Sequence, residues 1–146
     1  MRRFATLVAL AVVFASLLAA CGTEPVSLDQ IPVYPQASPM ERGTNEVADE
    51  LIKTINESSK SQGLRVDLNL YGLPEGTGWE DVKAFFEGEL ADKGWESAPD
   101  LSSESDHFRS VGWSRGSGST EQALTLSYVD DVKGGTTFFV VALFAK

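Results

Sequence analysis

The run Thr136-Thr137-Phe138-Phe139-Val140-Val141-Ala142-Leu143-Phe144-Ala145 most constrains what this chain can fold into. It is rich in β-branched and aromatic residues and is apolar at both parities. Successive side chains of a strand point to opposite faces. A strand of this kind therefore needs cover on at least part of both faces, which predicts a central position in a sheet.

Its neighbours are legible upstream. Leu64 to Tyr71 alternates cleanly, with Leu64, Val66, Leu68 and Leu70 on one side and Arg65, Asp67, Asn69 and Tyr71 on the other. That pattern predicts a strand with one buried face. Trp95 to Ala98 reads as a short strand. Phe108 to Arg115 reads as a longer one, with Val111 and Trp113 on one face, and Gln122 to Val129 as another, with Leu124, Leu126 and Tyr128 on one face. Gly116-Ser117-Gly118-Ser119 and Asp130 to Gly135 supply the turns that make these hairpins. Pro99 to Asp106 is acidic and serine-rich and reads as a loop.

Two stretches carry helical spacing instead. Val47, Ala48, Leu51, Ile52 and Ile55 fall on one side of a helix that Thr44 or Asn45 caps and that ends near Lys60, with Gly63 beyond it. Trp79, Val82, Phe85, Phe86 and Leu90 form the stripe of a second, Trp79 to Lys93, closed by Gly94. Gly88, inside that helix, costs about 1 kcal/mol relative to alanine, which suggests a close approach to a neighbour. The expected fold is α+β: one domain, a mostly antiparallel sheet of about five strands, and two helices on one face.

The N-terminus has a different character. Met1-Arg2-Arg3-Phe4 is a short basic start, and Ala5 to Leu18 is apolar except for Thr6 and Ser16. The run is shorter than the ~20 residues a membrane-spanning helix needs, and the layout is that of a secretory signal. Arg2-Arg3 also admits twin-arginine export, although the residues around the pair lend it no further support. Leu18-Ala19-Ala20-Cys21 resembles the lipobox of bacterial lipoproteins. That resemblance implies acylation of the Cys21 thiol, cleavage just before it, and a membrane partner reached through the lipid. The expected organisation is a signal peptide at 1–20, a lipidated tether at 21–30, and an extracytoplasmic domain at 31–146 in the bacterial cell envelope. Within that domain Pro32-Val33-Tyr34-Pro35, and the segment Leu73 to Trp95 with its Gly94-Trp95 ending, are similar to small uncharacterised bacterial lipoprotein domains. The resemblance implies no activity. Pro32, Pro35 and Pro39 exclude a helix over 31–39, and Ile31, Val33 and Tyr34 are expected to clip this segment onto the domain.

Charge narrows the partners. The chain carries −9 over 146 residues. Residues 1–20 hold two of the twelve basic residues and none of the twenty-one acidic ones, so the remainder stands at −11. Such a surface argues against nucleic acid and against anionic headgroups as partners. Cys21 is the only cysteine, so once it is acylated no disulfide is available to hold the domain.

Catalytic patterns are sparse. The single histidine, His107, sits beside Asp106, and adjacent strand residues point apart, which leaves Asp106 poorly placed to orient the ring. Gly112-Trp113-Ser114-Arg115-Gly116 has Gly-x-Ser-x-Gly spacing, but it leads from a strand into a hairpin turn and not into a helix as a nucleophile elbow does. Asp130-Asp131 and the group Asp100, Glu104 and Asp106 lack EF-hand spacing, and no cofactor is implied. If both helices cover the Leu64–Leu70 parity, the opposite face presents Arg65, Asp67, Asn69, Tyr71, Ser110, Gly112, Ser114, Thr125 and Ser127 as a polar platform with apolar residues at its centre. An open antiparallel face is ordinary for such folds, and an apolar centre ringed by polar residues is also how a partner surface looks. The expected role is a non-enzymatic, lipid-anchored interaction module meeting an envelope protein, or alternatively a small-molecule binder using the open face or a helix–sheet cleft.

Overall fold

The computed structural model describes residues 23–131 and 134–146. Four long strands carry the sheet: β2 (Arg65–Gly72), β5 (Phe108–Arg115), β6 (Gln122–Asp131) and β7 (Thr136–Ala145). Three two-residue pieces complete it, namely β1 (Ser38–Pro39), β3 (Glu96–Ser97) and β4 (Ser103–Glu104). The order is β1-β2-β7-β6-β5-β3 with β4 also on β5, and every pair is antiparallel. β7 lies between β2 and β6, and Phe138 through Leu143 are all buried, as its two-sided apolar pattern requires. The count reaches seven, above the expected five, because the chain after Trp95 pairs with β5 in two short pieces. A 3-10 turn at Pro99–Leu101 separates those pieces, and β1 adds a further edge.

The helices are α1 (Glu46–Ser61) and α2 (Trp79–Ala91). They lie on opposite faces, which corrects the expectation that both cover one. Ala48 and Ile52 of α1 pack with Leu70, Val129, Phe138 and Val140. Val82, Phe86 and Leu90 of α2 pack with Leu124, Leu126, Phe139 and Val141. Register explains the division. Leu70 is opposite Val140 while Tyr71 is opposite Phe139, and Leu126 is opposite Val141. The apolar parity of β2 thus faces away from that of β6, and each needs its own helix. Phe86 anchors the α2 side through aromatic contacts with Phe139 at 5.9 Å and Trp113 at 6.5 Å.

The N-terminal stretch expected to be a tether is in part docked. Val26 and Leu28 pack on the α2-side core, and Gln122 holds the Val26 backbone. Ile31 is buried, and Tyr34 meets Phe85 edge-on at 5.5 Å, whereas Val33 remains exposed and does not clip the segment down. Gly88 meets nothing within 4 Å of a Cβ built on it, so no close approach explains it. The site with a real close approach is Gly112, where an added Cβ would collide with Leu101 Cβ.

Candidate functional site

Asn45 begins the site. Its Oδ1 accepts from the Ala48 N–H at 2.9 Å, satisfying one of the free donors of the first turn of α1. Its Nδ2 donates to Asp131 Oδ2 at 3.1 Å, which fixes that helix end over the far end of β6. α1 then lies across β2 and β7. On the other side of β6, the Ser105 N–H donates to the Phe108 carbonyl at 2.8 Å and the Asp130 N–H to the His107 carbonyl at 3.0 Å, holding the entry to β5 as a bend.

A cleft of about 710 Å³ remains between this bend and α1. Its apolar surface comes from Val47, Leu51, Phe108 and Val129, and its rim carries Glu46, Glu50, Asp106 and His107. Val129 is buried, Leu51 and Phe108 are half-buried, and Val47 is 45% exposed. Val47 and Leu51 are one turn apart on α1, so the helix presents them as a continuous wall. Glu50 is within 3.5 Å of Lys53, with both side chains well exposed. The Glu46 and Asp106 carboxylates have no ion-pair or hydrogen-bond partner among the described residues.

A second cavity, about 640 Å³, opens on the other face at the same end of the sheet, against the start of α2, with Arg109, Tyr128, Asp130 and Thr137 in its wall. Two of its polar side chains are engaged within it, and Arg109 is ion-paired to Glu104 outside its wall while Nε makes no hydrogen bond among the described residues. The Tyr128 hydroxyl donates to the Thr77 carbonyl at 3.0 Å, Thr137 Oγ1 donates to Asp130 Oδ1 at 3.4 Å, and Arg109 Nε lies 3.3 Å from Glu104 Oε1. Burial raises the Tyr128 phenol above its ordinary value, and the nearby Asp130 carboxylate adds to this.

The polar platform does not exist as one surface. Arg65, Asp67, Asn69 and Tyr71 belong to the α2 side of the sheet, whereas Ser110, Ser114, Thr125 and Ser127 belong to the α1 side. Arg65, Asp67 and Asn69 are exposed near the sheet edge, with Arg65 Nε 3.8 Å from Asp67 Oδ2 and Asn69 Nδ2 donating to the Tyr71 hydroxyl at 3.2 Å. Tyr71 stacks on Phe139 at 5.2 Å. Ser127 is buried, and the Ser110 hydroxyl donates to the Leu101 carbonyl at 3.4 Å. Leu101 itself sits over Gly112. Alternation alone cannot assign all eight residues to one face, because pairing partners, not sequence parity, define a face.

His107 is exposed at the cleft rim. Among the described residues no three acidic, histidine or cysteine side chains gather as a metal site, and no helix is long and apolar enough to cross a membrane. Cys21 and the rest of Leu18–Cys21 lie outside the described residues. By spacing, Val47 and Leu51 belong to the core stripe and Asp106 to a solvated loop, so the sequence does not assemble the cleft. The one available signal is Val47, which lies at the margin of the α1 stripe. Comparison with protein-family models, with curated proteins and with solved structures finds no match.

Proposed function

We propose that this is a lipid-anchored protein of the bacterial cell envelope whose extracytoplasmic domain acts by binding rather than by catalysis. The observation that carries the binding reading is the cleft between α1 and the Ser105–Phe108 bend. It is of the size usual for small-molecule sites, about 300–1,000 Å³, with apolar walls and a few polar groups at the rim. The lipobox resemblance of Leu18-Ala19-Ala20-Cys21 supports the anchor. Each buried methylene of an acyl chain contributes about 0.8 kcal/mol, so two or three chains hold the protein durably at a membrane. The break in character at Cys21, from a basic and apolar leader to a strongly acidic chain, supports export of the acidic part.

The anchoring part is tested by metabolic labelling with a clickable fatty acid, followed by membrane fractionation. The expected result is label on the wild type, none on Cys21→Ala, and release of the variant from the membrane fraction. Equal labelling of the variant, or an unlabelled wild type, would refute the anchor.

A further inference from the structure

We infer that the cleft between α1 and the Ser105–Phe108 bend takes an amphipathic cation, meaning an amine that carries an aryl or short alkyl group. This rests on the proposed binding function and specifies its ligand class. The floor is apolar, with Leu51, Phe108 and Val129 offering a desolvated bed for a hydrocarbon group. Val47, nearly half exposed, extends that bed toward solvent. The rim is acidic: Glu46 and Glu50 project from the first turns of α1, and Asp106 lies across the gap on the bend.

Charge complementarity selects the ligand. Two of the three carboxylates, Glu46 and Asp106, have no ionic partner among the described residues, and the Lys53 partner of Glu50 is held only in an exposed pair. The chain carries −9 in total, and an anionic ligand would meet both the rim and this background field. A neutral hydrocarbon would use the floor but leave the rim unused. An ammonium at the rim satisfies both parts of the site.

The position of the cleft fits a ligand from the aqueous side. Val26 is fixed at the Gln122 end of β6, while the cleft uses Val129. Seven residues of strand separate them, about 23 Å. A chain anchored at Cys21 has about 16 Å of reach before Val26, so the cleft opens at the end of the sheet remote from the anchor.

The test uses the full chain in zwitterionic nanodiscs, titrated calorimetrically with phenylbutylamine, phenylbutanol and phenylbutyrate, with empty discs as reference. The expected order is amine tightest, alcohol next and carboxylate weakest. Single exposed ion pairs are weak, but the summed field of three carboxylates spread around the rim is expected to favour the amine severalfold, up to about tenfold, over the alcohol at low salt. Added salt shrinks that preference. Glu46→Gln/Glu50→Gln/Asp106→Asn brings the amine to the affinity of the alcohol and leaves the alcohol unchanged. The matched control Glu87→Gln/Glu89→Gln/Asp92→Asn, on α2 and at its C-cap, keeps the preference. Val47→Lys, at an exposed position, weakens the amine by placing a cation in the cleft. An amine no tighter than the alcohol, a preference that survives the rim triple, or no binding by any of the three probes overturns the inference. Loss of the anchor is read separately by the Cys21 labelling.

Discussion

Gln122 grips the backbone of Val26 with both ends of its amide: the Val26 N–H donates to Oε1 and Nε2 donates to the Val26 carbonyl, each at 2.8 Å. Gln122 is 3% exposed and lies 96 residues from Val26 in sequence. The pair mimics one rung of a sheet and ties the chain to the domain already at Val26, five residues before the expected boundary at Ile31. Gln122→Ala removes both bonds and leaves a backbone donor and acceptor without those partners. The expected loss is about 1–3 kcal/mol, together with faster proteolytic cleavage within residues 23–30. Mass spectrometry of the fragments locates the cut. A cleavage rate unchanged from wild type would mean that the segment is held by Val26 and Leu28 packing alone.

Gly112 is needed for contact, since its backbone is not in the positive-φ region. Gly112→Ala drives a Cβ into Leu101 Cβ, and the expected cost is about 1–3 kcal/mol of overpacking. The collision is with the β-carbon of Leu101, so Leu101→Ala gives no relief, whereas Leu101→Gly does. A double-mutant cycle by urea denaturation measures this coupling. Additive effects of Gly112→Ala and Leu101→Gly would show that the turn yields by moving away.

Gly88 behaves in the opposite way. It is exposed in the middle of α2, with open space where a Cβ would be. Gly88→Ala is expected to stabilise the domain by about 0.5–1 kcal/mol, because alanine loses less backbone freedom on folding into a helix. The readout is a higher urea midpoint with an unchanged slope. A midpoint at or below that of wild type would contradict an unobstructed helix face at this position.

Tyr128 gives the domain an alkaline limit. Its folded-state phenol titrates above the ordinary value of about 10, chiefly through burial and then through Asp130. A raised folded-state value means that the native state holds the proton more tightly than the unfolded chain. The contribution is fully present below about pH 10 and declines as pH rises from there through the higher folded-state value. Denaturant midpoints measured from pH 8 upward are expected to fall beyond pH 10. Tyr128→Phe starts lower at pH 8 by about 0.5–1.5 kcal/mol, through loss of the hydrogen bond to Thr77, and then shows a shallower alkaline decline. Parallel declines in the two proteins would remove Tyr128 as a cause.

The elements are legible in the sequence because their causes are local. Asn45 caps α1 through its own side chain, and Gly63 and Gly94 adopt positive φ after the two helices. β2, β5 and β6 follow alternations, and β7 an apolar run at both parities, all visible within ten residues. β3 falls within the short strand expected at Trp95 to Ala98, whereas β4 is harder to see, since Ser103–Glu104 lies in a polar stretch that reads as a loop and acquires strand geometry only by pairing with β5.

The candidate site is legible only in fragments. Arg65 and Ser127 both sit on clear strands, yet the register across β7 sends them to opposite faces. Val47 and Asp106 lie 59 positions apart and share a cleft because Asn45 sets one wall and the Ser105–Phe108 turn sets the other.

By itself the sequence determined the α+β class, the four long strands, both helices and the central place of β7, since each depends on spacing and polarity within a short window. Tertiary structure alone decided that α1 and α2 take opposite faces, that Val26 is part of the domain, and that an acidic rim surrounds an apolar floor. The physical reason is that a strand pattern records which side chains avoid water, whereas pairing register determines which of them share a face.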